Sequence, residues 1–115
     1  MERPATISVD EFLRVDIRVG KVVRAEPFPE ARKPSLRLWI DFGPEFGERK
    51  SSAQIAARYN PRSLIGRLIF AVVNFPPLQI GPMRSEVLVL GVLDSEGEVI
   101  LVAPDGEVPV GARLH

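Results

Sequence analysis

Apolar and polar positions along the chain change period several times, and each change marks an element. Ser8-Val9-Asp10-Glu11 has the capping-box pattern, in which the Ser8 hydroxyl accepts from the Glu11 N–H and the Glu11 carboxylate from the Ser8 N–H. A short helix is therefore predicted over Val9 to Leu13. From Val15 to Ala25 the pattern alternates, with Val15, Ile17, Val19 and Val22 set against Asp16, Arg18 and Lys21, and Gly20 inside the run marks a bulge. A proline-rich connection from Pro27 to Pro34 leads into Leu36 to Phe42, whose near-strict alternation is that of a half-buried strand stopped by Gly43-Pro44. Glu45 to Gln54 is polar without a period, and Ile55 to Tyr59 reads as a helical turn closed by Asn60-Pro61. Leu68 to Val73 is a compact β-rich run. Phe75-Pro76-Pro77 stops it, because neither proline can donate a ladder hydrogen bond. Glu86 to Leu93 and Val99 to Val102 pair as a hairpin across Asp94-Ser95-Glu96-Gly97.

Five strands, Gly-bearing turns and one short helical insertion predict an all-β fold, a five-stranded Greek-key barrel of the OB type. The 115 residues make one domain, 1–115, around one core. By the usual burial preferences of aromatic residues on alternating strands, Trp39 and Phe70 belong to that core. The terminal segments, 1–14 and 103–115, carry Val9, Phe12, Leu13, Val108, Val110 and Leu114, more apolar surface than a small barrel needs for itself. A two-fold partner would cover it, so a homodimer is expected.

Composition removes several kinds of chemistry. There is no Cys, and the only His is His115, so neither a disulfide framework nor a zinc site of the His/Cys kind can be assembled within the chain. No stretch approaches the roughly 18 apolar residues of a membrane span, so no membrane insertion and a cytoplasmic location are expected. No Gly-x-x-x-x-Gly-Lys phosphate loop occurs, and no residues complete a Ser/His or paired-carboxylate arrangement. The expectation is a non-enzymatic protein without cofactors.

The formal net charge is zero, but the charges are sorted along the chain. Residues 49–84 carry six basic residues and no acidic one, whereas residues 85–115 hold six acidic residues against Arg113 alone. The basic stretch also contains Ser51, Ser52, Tyr59 and Asn74, donors for phosphate and one ring able to stack on a base. Scattered, these arginines would do no more than keep the protein soluble.

Asp16-Ile17-Arg18-Val19-Gly20, Ala31-Arg32-Lys33-Pro34-Ser35, Ile40-Asp41-Phe42-Gly43, Ser51-Ser52-Ala53-Gln54-Ile55, Asn74-Phe75-Pro76-Pro77 and Ser85-Glu86-Val87-Leu88-Val89-Leu90-Gly91, in this order, closely resemble the CsaA family. The resemblance runs from about Phe12 to Gly111. It implies an OB barrel paired into a homodimer through its terminal segments, a tRNA-binding surface, and an export-related chaperone that binds unfolded or preprotein chains and serves the secretion machinery. Carried over position by position, it implies tRNA contact by Arg18, Lys33, Arg49, Lys50, Ser51, Ser52, Asn74, Arg84 and Ser85. Arginine forks suit phosphate, and Ser and Asn suit phosphate or 2′-hydroxyl groups. Where relatives that bind tRNA well read Ser-x-Gly-Met-x-Leu, this chain has Ser85 to Leu90 with Glu86, a charge that opposes phosphate. For polypeptide the candidates are Phe28, Phe46, Phe75, Pro76, Pro77, Leu78 and Met83, because rigid proline loops hold aromatic residues at the surface. A cis peptide at Phe75-Pro76 or Pro76-Pro77 is the purely structural alternative for that motif. The expected function is a chaperone for nonnative or secretory polypeptides with tRNA-binding capacity. The alternatives are a primarily tRNA-binding protein and a partner-binding module for a translocase or a synthetase.

Overall fold

Ser8 opens the first helix as its sequence requires. In the computed structural model, which describes residues 2–115, both capping-box hydrogen bonds are 3.0 Å long, and α1 spans Val9–Phe12. The chain then forms β1 (Ile17–Pro27), β2 (Leu36–Asp41), α2 (Gly43–Phe46), β3 (Glu48–Ala53), α3 (Pro61–Leu64) and β4 (Leu68–Val72). Five short strands follow: β5 (Leu78–Ile80), β6 (Met83–Ser85), β7 (Leu88–Val89), β8 (Gly91–Leu93) and β9 (Val99–Leu101). β3, β2, β1, β4 and β7 make one antiparallel sheet in that order, while β5–β6 and β8–β9 are separate hairpins. The sheet curls until β3 and β7 approach each other, giving the nearly closed five-stranded barrel of an OB fold.

Alternation on β2 fills the barrel. Leu36, Leu38 and Ile40 point inward and meet Val22, Phe42, Ile55, Leu64, Ile69 and Ala71. Each large side chain buried this way contributes about 1.5–3 kcal/mol relative to exposure. The same parity sends Arg37, Trp39 and Asp41 outward, so the ring expected in the core lies half-buried on the outer face. Phe70 is likewise half-buried on β4, between the buried Ile69 and Ala71. Strand parity decides these positions, not ring size.

Two other expectations are corrected. The bulge in β1 falls between Val22 and Arg24, not at Gly20. Gly20 is needed for space, because a Cβ there would stand 2.4 Å from Ile40 Cγ2 and 2.7 Å from Phe42 Cε1. The polar segment from Glu45 to Gln54 contains a whole strand, β3, whose inward positions are Arg49, Ser51 and Ala53 and so present no apolar alternation to read. Ile55 to Tyr59 is the expected helical turn, the Tyr59 N–H donating to Ile55 O at 3.1 Å, and α3 starts after it at Pro61, capped by Asn60 Oδ1 accepting from the Arg62 N–H at 2.9 Å.

β2 pairs with β1 only from Lys21 onward. Residues 111–114 occupy the vacant flank of Ile17–Val19: the Val19 N–H donates to Ala112 O at 2.9 Å, the Gly111 N–H to Val19 O at 2.8 Å, and the Leu114 N–H to Ile17 O at 2.9 Å. This part of the C-terminal segment is thus spent on its own barrel. Elsewhere Phe12, Leu13, Leu88, Val92, Leu93 and Ile100 leave apolar side chains in solvent.

Candidate binding surface

The seam between β3 and the segment after β6 is closed by short polar side chains rather than by a full ladder. Ser51 Oγ is wholly buried and donates to Val87 O at 3.0 Å. Ser85 Oγ accepts from the Ser52 N–H at 3.0 Å, and Glu86 Oε1 accepts from the Lys50 N–H at 3.0 Å. One backbone bond, the Glu86 N–H to Lys50 O at 2.8 Å, completes the seam. Ser51, Ser85 and the carboxylate of Glu86 are therefore engaged within the protein.

Arg18 and Arg49 meet at Phe46, at the end of the barrel beside α2. The Arg18 guanidinium lies 4.8 Å from the centre of the Phe46 ring, donates through Nε to Asp16 Oδ1 at 2.6 Å and through Nη1 to Gly111 O at 3.1 Å. Arg49 Nε donates to Phe46 O at 3.1 Å. Asn74 fastens the N-terminal segment, its Oδ1 accepting from the Asp16 N–H at 2.9 Å and its Nδ2 donating to Arg14 O at 2.7 Å.

Two further cations of the basic stretch, Arg58 and Arg67, have partners within the protein. Arg58 pairs with Asp94 at 3.0 Å and Glu96 at 3.4 Å. Arg67 lies 5.5 Å from the centre of the Tyr59 ring, and the Tyr59 hydroxyl accepts from the Leu101 N–H at 3.0 Å. The Asp94 carboxyl is held below its ordinary range by the Glu98 N–H and the Arg58 guanidinium, with the Glu96 N–H adding to them.

Two depressions touch one another. A polar recess of about 440 Å³ is lined by Glu30, Arg32, Lys33, Ser35 and Gln79, among others, two cations against one carboxylate. An apolar groove of about 530 Å³ is lined by Ile55, Phe75, Pro76, Leu78, Leu88 and Val99, among others. Ser52, Gln54 and Ile80 line both. The structure thus brings Lys33, Ser52 and Ser85 of the RNA candidates beside Phe75, Pro76 and Leu78 of the peptide candidates. Phe75 is 47% exposed and Leu78 64%. Pro77 and Arg84 are exposed nearby in sequence, with Arg84 opposite Gln79 in the β5–β6 register. Both proline bonds of the Phe75-Pro76-Pro77 motif are trans. Phe28 and Met83 are buried, at 2% and 6% exposure, and present no surface to a ligand. Phe46 is half-buried under Arg18. Sequence reasoning missed Gln54, Gln79 and Ile80. Gln79 and Ile80 lie on the β5–β6 hairpin, which is signalled only by Gly81-Pro82 between two three-residue strands, and Gln54 follows the unread strand β3.

Residues 17–113 match the family model described as "Putative tRNA binding domain". Among solved structures the chain is similar to chaperone CsaA from Bacillus anthracis str. Ames, with 50% identity and a TM-score of 0.90 over 96% of this chain and 100% of that one. The chain belongs to the tRNA-binding domain family, in its CsaA group. It is also similar to the CsaA chaperone protein from Picrophilus torridus, at 44% identity and a TM-score of 0.88 over 96% of this chain and 100% of that one. Among curated relatives, the methionine–tRNA ligase of Thermotoga maritima is 38% identical over 94% of this chain, and the chain spans only 16% of that relative's length.

In this CsaA-group chain the shared motifs fall largely on joints of the barrel. Arg18 of Asp16-Ile17-Arg18-Val19-Gly20 ties β1 to the C-terminal segment, Ser51 and Ser85 close the seam, and Asn74 holds the approach to β1. Other motif residues, Arg32, Lys33, Ser52, Gln54, Phe75 and Leu88 among them, line the recess and groove.

Proposed function

We propose that this chain is a binding protein without catalytic activity, a homodimeric chaperone that holds nonnative or secretory polypeptide in the apolar groove and tRNA at the adjoining polar recess. The observation that carries this reading is the shared wall of Ser52, Gln54 and Ile80 between the two depressions. An extended polypeptide has apolar side chains for Phe75 and Leu78, which rigid Pro76 and Pro77 hold at the surface. A phosphate backbone has charge for Lys33, with Lys50 and Arg84 as further cations and Ser52 as a hydroxyl donor. The dimer is supported by apolar side chains that one chain leaves in solvent outside the groove, Phe12 and Leu13 of the N-terminal segment and Val92 and Leu93. The secretion machinery, in the cytoplasm, is the partner that export clients imply.

Two measurements on one preparation test it. The protein should suppress aggregation of a chemically denatured client, and a folded Phe75→Ser/Leu78→Ser variant should lose most of that effect. Filter retention of tRNA should fall steeply with salt, and Lys33→Ala should reduce the log–log salt slope by about 0.7–0.9, one phosphate contact. A double variant that suppresses aggregation like the parent would remove the groove from the reading. Salt-independent tRNA retention, or none at low salt, would remove the recess, and a monomer in sedimentation would remove the dimer. A second reading, in which tRNA is the principal ligand, rests on the family match over residues 17–113, and absent aggregation suppression with intact tRNA retention would favour it.

A further inference from the structure

The outer face of the sheet around β2 carries an arrangement that neither depression uses. Register places Arg24 of β1, Trp39 of β2 and Lys50 of β3 in one row across three strands. The next row is Glu26, Arg37 and Ser52. In the first row two cations flank the ring with no acidic residue between them.

The Arg24 guanidinium carbon lies 4.2 Å from the centre of the Trp39 ring and over it. It is held there by Glu26, whose Oε2 accepts from Arg24 Nε at 2.9 Å and also from Nη2. The other oxygen of Glu26 takes Arg37 Nη2 at 3.1 Å, and Arg37 in turn lies 5.5 Å from the centre of the buried Phe28 ring. One carboxylate therefore fixes two arginines against two aromatic rings. The Arg37–Phe28 half is the more enclosed one. The Arg24 side chain is 60% exposed, so the Arg24–Trp39 half is open to solvent.

A planar cation fixed on an aromatic ring, with its outer side in water and a second cation across the ring, matches the chemistry of an unpaired nucleotide. The base stacks on the layered pair, as bases do on aromatic rings and guanidinium planes, and its phosphates meet Lys50 and the free Nη1 of Arg24. A double helix hides its bases within the stack and would gain only the phosphate contacts. We propose that Arg24 and Trp39 form a stacking platform for an unpaired base of bound RNA, a specificity element that selects single-stranded segments and continues, through Ser52, into the polar recess. This rests on the RNA part of the function proposed above.

Trp39 is the only tryptophan in the chain, so its fluorescence reports on the platform alone. The probes are a single-stranded RNA oligomer, a duplex RNA of the same length, unfractionated tRNA, and a denatured polypeptide client. The single-stranded oligomer and tRNA should quench Trp39 emission at low salt, and the duplex should not. By fluorescence anisotropy of labelled RNA, Trp39→Leu should weaken single-strand binding by about 5- to 150-fold, the loss of one stacked base. Trp39→Phe should restore part of it. Arg24→Lys keeps the charge and loses the plane, so affinity should fall several-fold with the salt slope unchanged. This exposed substitution keeps the test valid if Trp39→Leu unfolds.

Retention of tRNA with unchanged Trp39 emission, and parental affinity in Arg24→Lys, would reduce the pair to a structural brace while leaving the RNA reading intact. Equal quenching by duplex RNA would remove the selectivity. Quenching by the polypeptide client alone would assign the platform to peptide instead. No RNA binding under any condition would fail the broader reading and this inference with it.

Discussion

Ser85 and Ser52 join the two sides of the barrel seam: the Ser85 hydroxyl oxygen accepts the Ser52 N–H at 3.0 Å, beside Ser51, whose own hydroxyl reaches Val87 O. A single backbone hydrogen bond, from Glu86 to Lys50, accompanies them. Removing one partner leaves a poorly hydrated donor or acceptor, which costs about 1–3 kcal/mol. Ser85→Ala and Ser51→Ala should each lower the melting temperature by about 4–8 °C per kcal/mol lost, read by circular dichroism. Because both side chains are buried, tRNA retention per folded molecule should not change. A parental melting temperature with weakened tRNA binding would instead return these hydroxyls to the ligand.

Gly20→Ala meets Ile40 and Phe42 within the core, at distances where a side chain must shift. The expected loss is about 1–3 kcal/mol or more, as for other overpacked cores. Gly106→Ala meets nothing within 4 Å and has no positive φ, so it should change stability by no more than about 0.5 kcal/mol. Denaturant unfolding of both variants makes the comparison. Equal stabilities would show that the barrel yields at Gly20.

Asp94 governs the β8–β9 turn. Its Oδ1 accepts from the Glu96 N–H at 2.8 Å and the Glu98 N–H at 3.0 Å, while Oδ2 takes Arg58. These bonds lower its pKa from the ordinary 3.8. The folded pKa lies below the unfolded one, so the stabilisation is fully present above the unfolded value and is lost as pH falls through the folded value. Titration of the Asp94 carboxyl by NMR should give a value below 3.8. Arg58→Ala should raise it, and the Glu96 and Glu98 amides should exchange faster as Asp94 protonates. An Asp94 titration unaltered by Arg58→Ala would remove the ion pair from the account.

How much of this was legible in the sequence depends on which side chains face inward. β2 announced itself because Leu36, Leu38 and Ile40 recur with period two, and α1 because its cap is local. β3 was hidden because its inward positions carry Arg49, Ser51 and Ala53, suited to the seam and the barrel end rather than to an apolar interior. The same hidden strand explains the binding surface. Residues that resemblance assigned to tRNA include Ser51 and Ser85, whose burial is a tertiary fact, and Arg18, whose partners Phe46 and Gly111 lie 28 and 93 positions away in the chain. The +6 balance of residues 49–84 described charge along a line. The fold gives three of those cations partners within the protein, Arg58 with Asp94, Arg67 with Tyr59 and Arg49 with Phe46 O, and sets Lys33, outside the stretch, beside the recess.

The docking of residues 111–114 along Ile17–Val19 orders events during synthesis. The start of β1 is made early, but the flank that β2 leaves vacant can be filled only after residue 114 has been added. Until then the Val19 N–H and the Ile17 carbonyl lack these partners, so this short stretch of strand has an open edge. Closure joins positions more than 90 residues apart, a long loop that topology makes slow to form. A nascent chain of this protein therefore passes through a stage in which it offers other chains the kind of unpaired edge that chaperones exist to cover.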